Sequence, residues 1–382
     1  MNNLSKIYLV VLVMIGIIKP HNSPAQEIDL GGQVSGWAVT NPDRATQLGL
    51  RYIPDLMMGK YWDDYTLDSE ISLNMYGVVQ FEHNQDATLT YDEFDSYRIW
   101  IRFAASQFEL RAGLQKINFG SAMLLRALMW FDSIDPRDPL QLTDGVWGLS
   151  ARYFFLNNTS IWFWSLYGND QNRGWDVFAS DKNSPEFGGR LQVPLLTGEF
   201  ALTYHYRKIE SKKRPMLNNL SGNSTIPENR IGFDGKWDIE VGVWAEAAIV
   251  HRELDFKAYN YQRQTNLGVD YTFELGNGLY AIAEYFTFSL TEKVFEAGED
   301  VSLTALSLNY PLGLLDDLTA IVYYEIDNQD WYCFFQWQRT YDNWRFYLMG
   351  FWNPDQYQLF PGTVQYNLYA GKGVQLLLVF NH

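Results

Sequence analysis

Apolar residues recur at every second position through most of this chain, which is the period of a β-strand with one face buried. Phe108, Leu110, Ala112 and Leu114 follow it, as do Trp147, Leu149, Ala151, Tyr153 and Phe155, and later Trp331, Phe335 and Trp337. Read throughout, the alternation predicts about eighteen strands, sixteen being also compatible. They open with Ile28–Ala38, Thr46–Ile53 and Asp68–Glu82. Phe108–Ile117, Ile239–His251 and Tyr261–Leu275 follow later, and Gly373–Phe380 closes the series.

The connectors sort the strands into hairpins. Short turns such as Ser106-Gln107, Asn157-Asn158, Thr197-Gly198 and Asp342-Asn343 alternate with connections that are mostly long and polar. That is the rhythm of a barrel with one end toward the periplasm and the other toward the exterior. Two connectors fit less well, Pro54–Leu67 on the short side and Asn328–Asp330 on the long side. One connector is of another kind. After Gly120 an apolar run (Met123, Leu124, Leu125, Ala127, Leu128, Met129, Trp130) gives way to a charged, proline-punctuated one, Asp132 to Pro139. It is too apolar to lie loose in water, so residues 121–144 are expected to fold into the barrel and narrow it. Leu124, Leu125, Leu128 and Trp130 would pack on the inner wall, with Arg126, Asp132, Asp135, Arg137 and Asp138 at the narrowest point. A buried charge needs a partner, so the acids of this loop should meet basic residues of the wall.

The first 25 residues read as a cleaved secretory signal: Lys6, an apolar stretch Ile7–Ile18, and Ser23-Pro24-Ala25 before Gln26. Residues 26–382 would then form a single barrel. No later segment approaches the roughly 20 apolar residues of a helical span. Aromatic residues make up 16% of the chain and charged residues only 19%, and there are 29 glycines, a profile that suits strands girdled by Tyr, Trp and Phe in a bacterial outer membrane. The formal charge of −16, more negative once Lys6 and Lys19 leave with the signal, argues against nucleic-acid binding. Cys333 is the sole cysteine, which excludes an intrachain disulfide and a multi-thiolate zinc site. The rival all-β reading, a secreted sandwich, lacks a matching second sheet of inward residues.

If apolar positions face lipid, their neighbours face inward, and inward charge is unevenly shared. The fourth to ninth strands offer Arg98, Arg102, Arg111, Arg152, Arg190 and Arg207. The tenth to fifteenth offer Asp234, Glu240, Glu246, Asp270, Glu274, Glu284 and Glu325. A basic wall facing an acidic one would set a transverse field that filters solutes by charge and size; the alternative is that these charges pair across adjacent strands. In the thirteenth and fourteenth strands neither face is cleanly apolar. Catalytic signatures are lacking: there is no spaced His pair, H-E-x-x-H, G-x-S-x-G or phosphate-cradling glycine loop. Asp132, Asp135 and Asp138 carry oxygens suited to calcium, but beside Pro136 and Pro139 they read as turn formers. No enzyme, metal or cofactor is expected.

Arg111-x-Gly113-x-Gln115, with Phe119-Gly120, Leu125-Arg126, Phe131-Asp132 and Asp135-Pro136-Arg137-Asp138-Pro139, resembles the porin and alginate-export type of outer-membrane barrel, in particular the porin-like members in the Gram-negative Bacteroidota. The resemblance implies eighteen strands and an arginine-rich lumen, with Arg98, Arg102, Arg111, Arg126 and Arg152 as counterparts of residues that conduct an anionic polysaccharide. The acidic second wall departs from that pattern. The expected function is diffusion of small hydrophilic solutes through the outer membrane, in a barrel surrounded by outer-membrane lipid and inserted by the barrel-assembly machinery. Selective transport of an anionic oligosaccharide and a non-conducting barrel subunit are the alternatives.

Overall fold

Strand alternation becomes a closed ladder in the computed structural model, which describes residues 26–81, 88–210, 225–254, 257–296, 298–355 and 369–382. The expected signal at residues 1–25 lies outside the described residues. Eighteen antiparallel strands pair in chain order. The first half comprises β1 (Gln26–Asn41), β2 (Arg44–Tyr61), β3 (Tyr65–Phe81), β4 (Thr88–Ala105), β5 (Phe108–Gln115), β6 (Val146–Phe154), β7 (Ser160–Leu166), β8 (Glu186–Leu195) and β9 (Gly198–Glu210). The second comprises β10 (Thr225–Ile239), β11 (Val241–Arg252), β12 (Tyr261–Phe273), β13 (Leu279–Thr291), β14 (Glu299–Pro311), β15 (Asp316–Glu325), β16 (Asp330–Tyr341), β17 (Trp344–Trp352) and β18 (Lys372–Asn381). β18 returns to β1, with Gln33 opposite Asn381 and Thr40 opposite Val374. Closure leaves no sheet edge, the condition for strands to cross a bilayer with every backbone group satisfied. Among the described residues the only helical element is a 3₁₀ turn at Lys257–Tyr259.

Every predicted strand has its observed counterpart, and one predicted irregularity disappears. β2 runs on through Pro54 to Tyr61, so the β2–β3 connector shrinks to residues 62–64. Proline lacks an N–H, and the β2–β3 ladder is indeed interrupted there, resuming from Tyr52↔Met75 to Asp55↔Ser72. The β15–β16 connector remains short, at residues 326–329. All connectors at the other end are short, whereas residues 116–145, 167–185 and 353–371 are long.

Outward positions are apolar and open to the surroundings: Leu149, Phe163, Leu267 and Phe335 are all exposed. The inner face is not uniformly polar. From β14 to β18 it presents Leu303, Ile321, Phe334, Tyr347, Phe351 and Leu377, all buried. Because β14 is apolar on both sides, its faces are ambiguous in the sequence. An apolar inner sector needs a cover, and the long connectors supply one.

Candidate functional site

Residues 116–145 leave β5 at Gln115 and re-enter the wall at Val146, and in between they lie inside the barrel. Ala122, Leu124, Leu125, Ala127 and Met129 join one buried cluster with the inner face of β14–β18. Phe119, Leu128, Trp130 and Phe131 join a second with Val146, Trp164 and Ala248. Gly232 of β10 makes room for this packing, since a Cβ there would meet Leu128 at 2.5 Å and the Trp130 ring at 3.1 Å. The expected inward packing of Leu124, Leu125, Leu128 and Trp130 is therefore observed.

Polar contacts hold the segment differently from expectation. Glu246 of β11 accepts the backbone N–H groups of Ala122 and Ala127, both at 2.8 Å, and of Leu128 at 3.3 Å. Glu284 of β13 accepts those of Met123, Leu124 and Leu125 at 2.7, 3.1 and 2.6 Å. Asn266 of β12 ties the two together, donating to Leu125 O at 2.9 Å and to Glu284 at 3.0 Å. An irregular backbone run leaves several N–H groups without a ladder partner, and two buried carboxylates collect them. The acidic wall thus anchors the loop's main chain. The loop's own acids do not meet the basic wall of β4–β9, which corrects the expectation: Asp132 pairs with Arg126 at 2.7 Å and Asp135 with Arg137 at 2.5 Å, because these partners lie two to six residues away and need no approach to a strand.

The turn chemistry expected around the prolines is present. Asp135 accepts the N–H of Arg137 at 2.9 Å, and Asp138 those of Leu140 at 3.0 Å and Leu142 at 3.4 Å. Burial raises the Asp138 carboxyl above its ordinary range, while the N–H bonds from Leu140 and Leu142 pull it back. Burial also works against the Arg126 charge, yet Asp132 in contact, with Glu246 and Glu284 nearby, more than compensates and keeps that guanidinium cationic.

The six predicted wall arginines all face inward but have different companions. Arg190 grips Asp234 with both terminal nitrogens, at 2.5 and 2.8 Å. Arg207 bonds Glu228 at 2.6 Å and Asp176 at 3.0 Å. Arg98 is buried and donates to the carbonyls of Tyr97 and Thr143, tying the returning end of the segment to β4. Arg102 pairs with Asp68 at 2.6 Å, and Glu109 lies 3.4 Å from Arg102 and 3.3 Å from Arg111. Arg152 stands over Trp162 at 3.5 Å and, among the described residues, has no carboxylate within ion-pair distance. On the acidic side Asp270 pairs with Lys236 at 3.3 Å. Glu240 and Glu274 do not line the interior. Glu240 is the exposed one-residue turn between β10 and β11 with φ of 76°, and Glu274 is exposed in the turn beyond the end of β12. The alternation runs two residues past the observed strand at each of these ends, β11 starting at Val241 and β12 stopping at Phe273.

A second in-folded segment, residues 167–185, escaped the sequence reading. Trp175 stacks on Phe286 with centroids 4.5 Å apart and donates to Arg126 O at 2.9 Å, so this segment rests on the first. Asp176 pairs with Arg207 and with Arg230 at 2.6 Å. The run Trp175-Asp176-Val177-Phe178 in an otherwise polar connector was the available signal. Nearby, His205 is buried with both ring nitrogens engaged, by Trp164 at 3.1 Å and Glu186 at 3.0 Å.

No family model matches the chain, and no curated protein does. Solved structures match over nearly the whole length. OccK5 (OpdH) of Pseudomonas aeruginosa aligns with a TM-score of 0.55 at 12% identity, covering 93% of this chain and 97% of its own. OccK7 (OpdD) of the same organism aligns at 0.52 and 10% identity, covering 94% and 99%. These likenesses establish the closed antiparallel barrel as the shared fold.

Proposed function

We propose that this chain is an outer-membrane channel for small hydrophilic solutes, with residues 116–145 as its constriction. The observation that carries the reading is the set of six backbone N–H bonds by which Glu246 and Glu284 hold that segment against the wall remote from β5, where it enters. A segment fixed across the bore sets both the size and the chemistry of what passes. The transverse field is proposed in reduced form, because Asp234, Glu246 and Glu284 are already committed to Arg190 or to the loop. What remains for solutes is a strip on β4–β7 where Arg111 and Arg152 stand beside Trp100 and Trp162, Arg111 lying over Trp100 at 4.7 Å, while Arg102 is held by Asp68. The apolar outer face fits a barrel inserted by assembly machinery and surrounded by outer-membrane lipid. Kinship with the porin and alginate-export type remains part of this proposal. Export of a polyanion is less favoured, since most inward arginines are engaged.

A second reading, a non-conducting barrel, draws on the near-complete burial of residues 124–132. Reconstitution in planar bilayers decides between the two. Unitary current with modest anion preference supports the channel, and silence from correctly folded protein favours the closed barrel.

A further inference from the structure

Beside the anchored segment lies a cavity of about 210 Å³, between its proline-flanked tip and the inner face of β15–β17. Its floor is apolar: Ile321, Phe334 and Met349 are all buried. Its charged groups are engaged within the tip. Arg137 directs Nε and Nη2 to Asp135 at 2.7 and 2.5 Å and lies over Phe334 at 5.2 Å; the Asp138 carboxylate is taken up by the N–H groups of Leu140 and Leu142. The polar capacity left over is amide and hydroxyl. The Gln336 and Gln141 side chains make no hydrogen bond among the described residues. Gln338 spends only one N–H, on Thr340 at 3.2 Å, and the Thr319 oxygen accepts from Asn309 at 2.9 Å, which leaves its hydroxyl hydrogen to give.

We infer that this cavity is a binding subsite for a neutral, monosaccharide-sized polyol. Amides and hydroxyls offer donors and acceptors together, as a sugar's own hydroxyls require. Phe334 and Met349 receive the C–H face of a ring. An anion would find no unengaged cation, and pairing with one already bound to a buried carboxylate would cost that existing pair. The volume falls below the 300 Å³ or so at which drug-sized pockets begin, which suits one ring and excludes an oligomer. The channel reading enters only as the route by which the solute arrives.

The test uses the full chain in detergent, with saturation-transfer NMR on D-glucose and D-glucuronate as probes. Saturable glucose binding is expected, weakened about tenfold by Gln336→Leu, the loss that one hydrogen bond accounts for. Glucuronate should bind at least that much more weakly than glucose. Thr319→Val is the second variant, and each is checked for folding by its heat-modifiable gel migration. Absence of saturable glucose binding overturns the inference, as does equal binding of glucuronate or unchanged binding in both folded variants. Binding without bilayer current would sink the channel and keep the cavity; current without binding would do the reverse.

Discussion

Replacing Glu284 with alanine is the sharpest perturbation of the anchored segment. The carboxylate takes three backbone N–H groups and the Asn266 amide. Each buried donor left unsatisfied costs about 1–3 kcal/mol, so keeping the segment's three N–H groups in place without Glu284 would cost roughly 3–9 kcal/mol. Against this stands the burial of Leu124 and Leu125, worth about 1.5–3 kcal/mol apiece. The two quantities are comparable, and Glu284→Ala should therefore let residues 122–125 detach for much of the time. Glu284→Gln keeps a carbonyl acceptor and should cost only about 1.5–3 kcal/mol, the range of a hydrogen bond to a charged group. Unitary conductance and limited proteolysis within the segment should rise in the order wild type, Glu284→Gln, Glu284→Ala. A correctly folded Glu284→Ala protein with unchanged conductance and unchanged cleavage would refute the anchoring argument.

Arg152→Gln should shift the reversal potential toward cations, because that guanidinium has no carboxylate within ion-pair distance among the described residues; an unchanged reversal potential would mean that its charge does not reach the solute path. Asp234→Asn breaks a buried bidentate pair with Arg190 and should lower stability by about 3–5 kcal/mol in urea titrations; a loss below 1 kcal/mol would mean the pair is well solvated. Leu149→Arg sets a charge on the lipid face at a cost of about 2–4 kcal/mol near the midplane and should cut folded yield, whereas Gln192→Arg, placed inward beside Glu199, should not; equal yields would overturn the face assignment.

The barrel was legible because its signal is local. Alternation of side chains and the lengths of connectors are properties of neighbouring residues, and together they returned the strand count and the hairpin order. The position of the 121–144 segment was legible for a related reason: eight apolar residues between Ala122 and Trp130 have nowhere to go but inward. Its partners were not. Glu246 and Glu284 look, in sequence, like any other inward acids, and nothing local says that their oxygens will receive main-chain N–H groups from more than a hundred residues away. The residues 167–185 were missed because Trp175 and Phe178 are too few to break a polar connector. Glu240 and Glu274 were misplaced because alternation carries no mark of where a strand stops; positive-φ turn residues decide that.

The interior also shows why a count of inward charges does not give selectivity. Arg190 with Asp234, Arg126 with Asp132, and Arg137 with Asp135 each cancel within one contact. Glu246 and Glu284 are held by peptide N–H groups instead, with no cation in direct ion-pair contact among the described residues. Where such a carboxylate is ionised no contact ion pair cancels it, and in a low-dielectric bore its field reaches past the loop that conceals it. The basic strip on β4–β7 faces that field across the lumen. Anion preference at Arg111 and Arg152 is therefore tempered from behind the constriction, and it should strengthen when Glu246 or Glu284 is made neutral, even though neither carboxylate touches the solute.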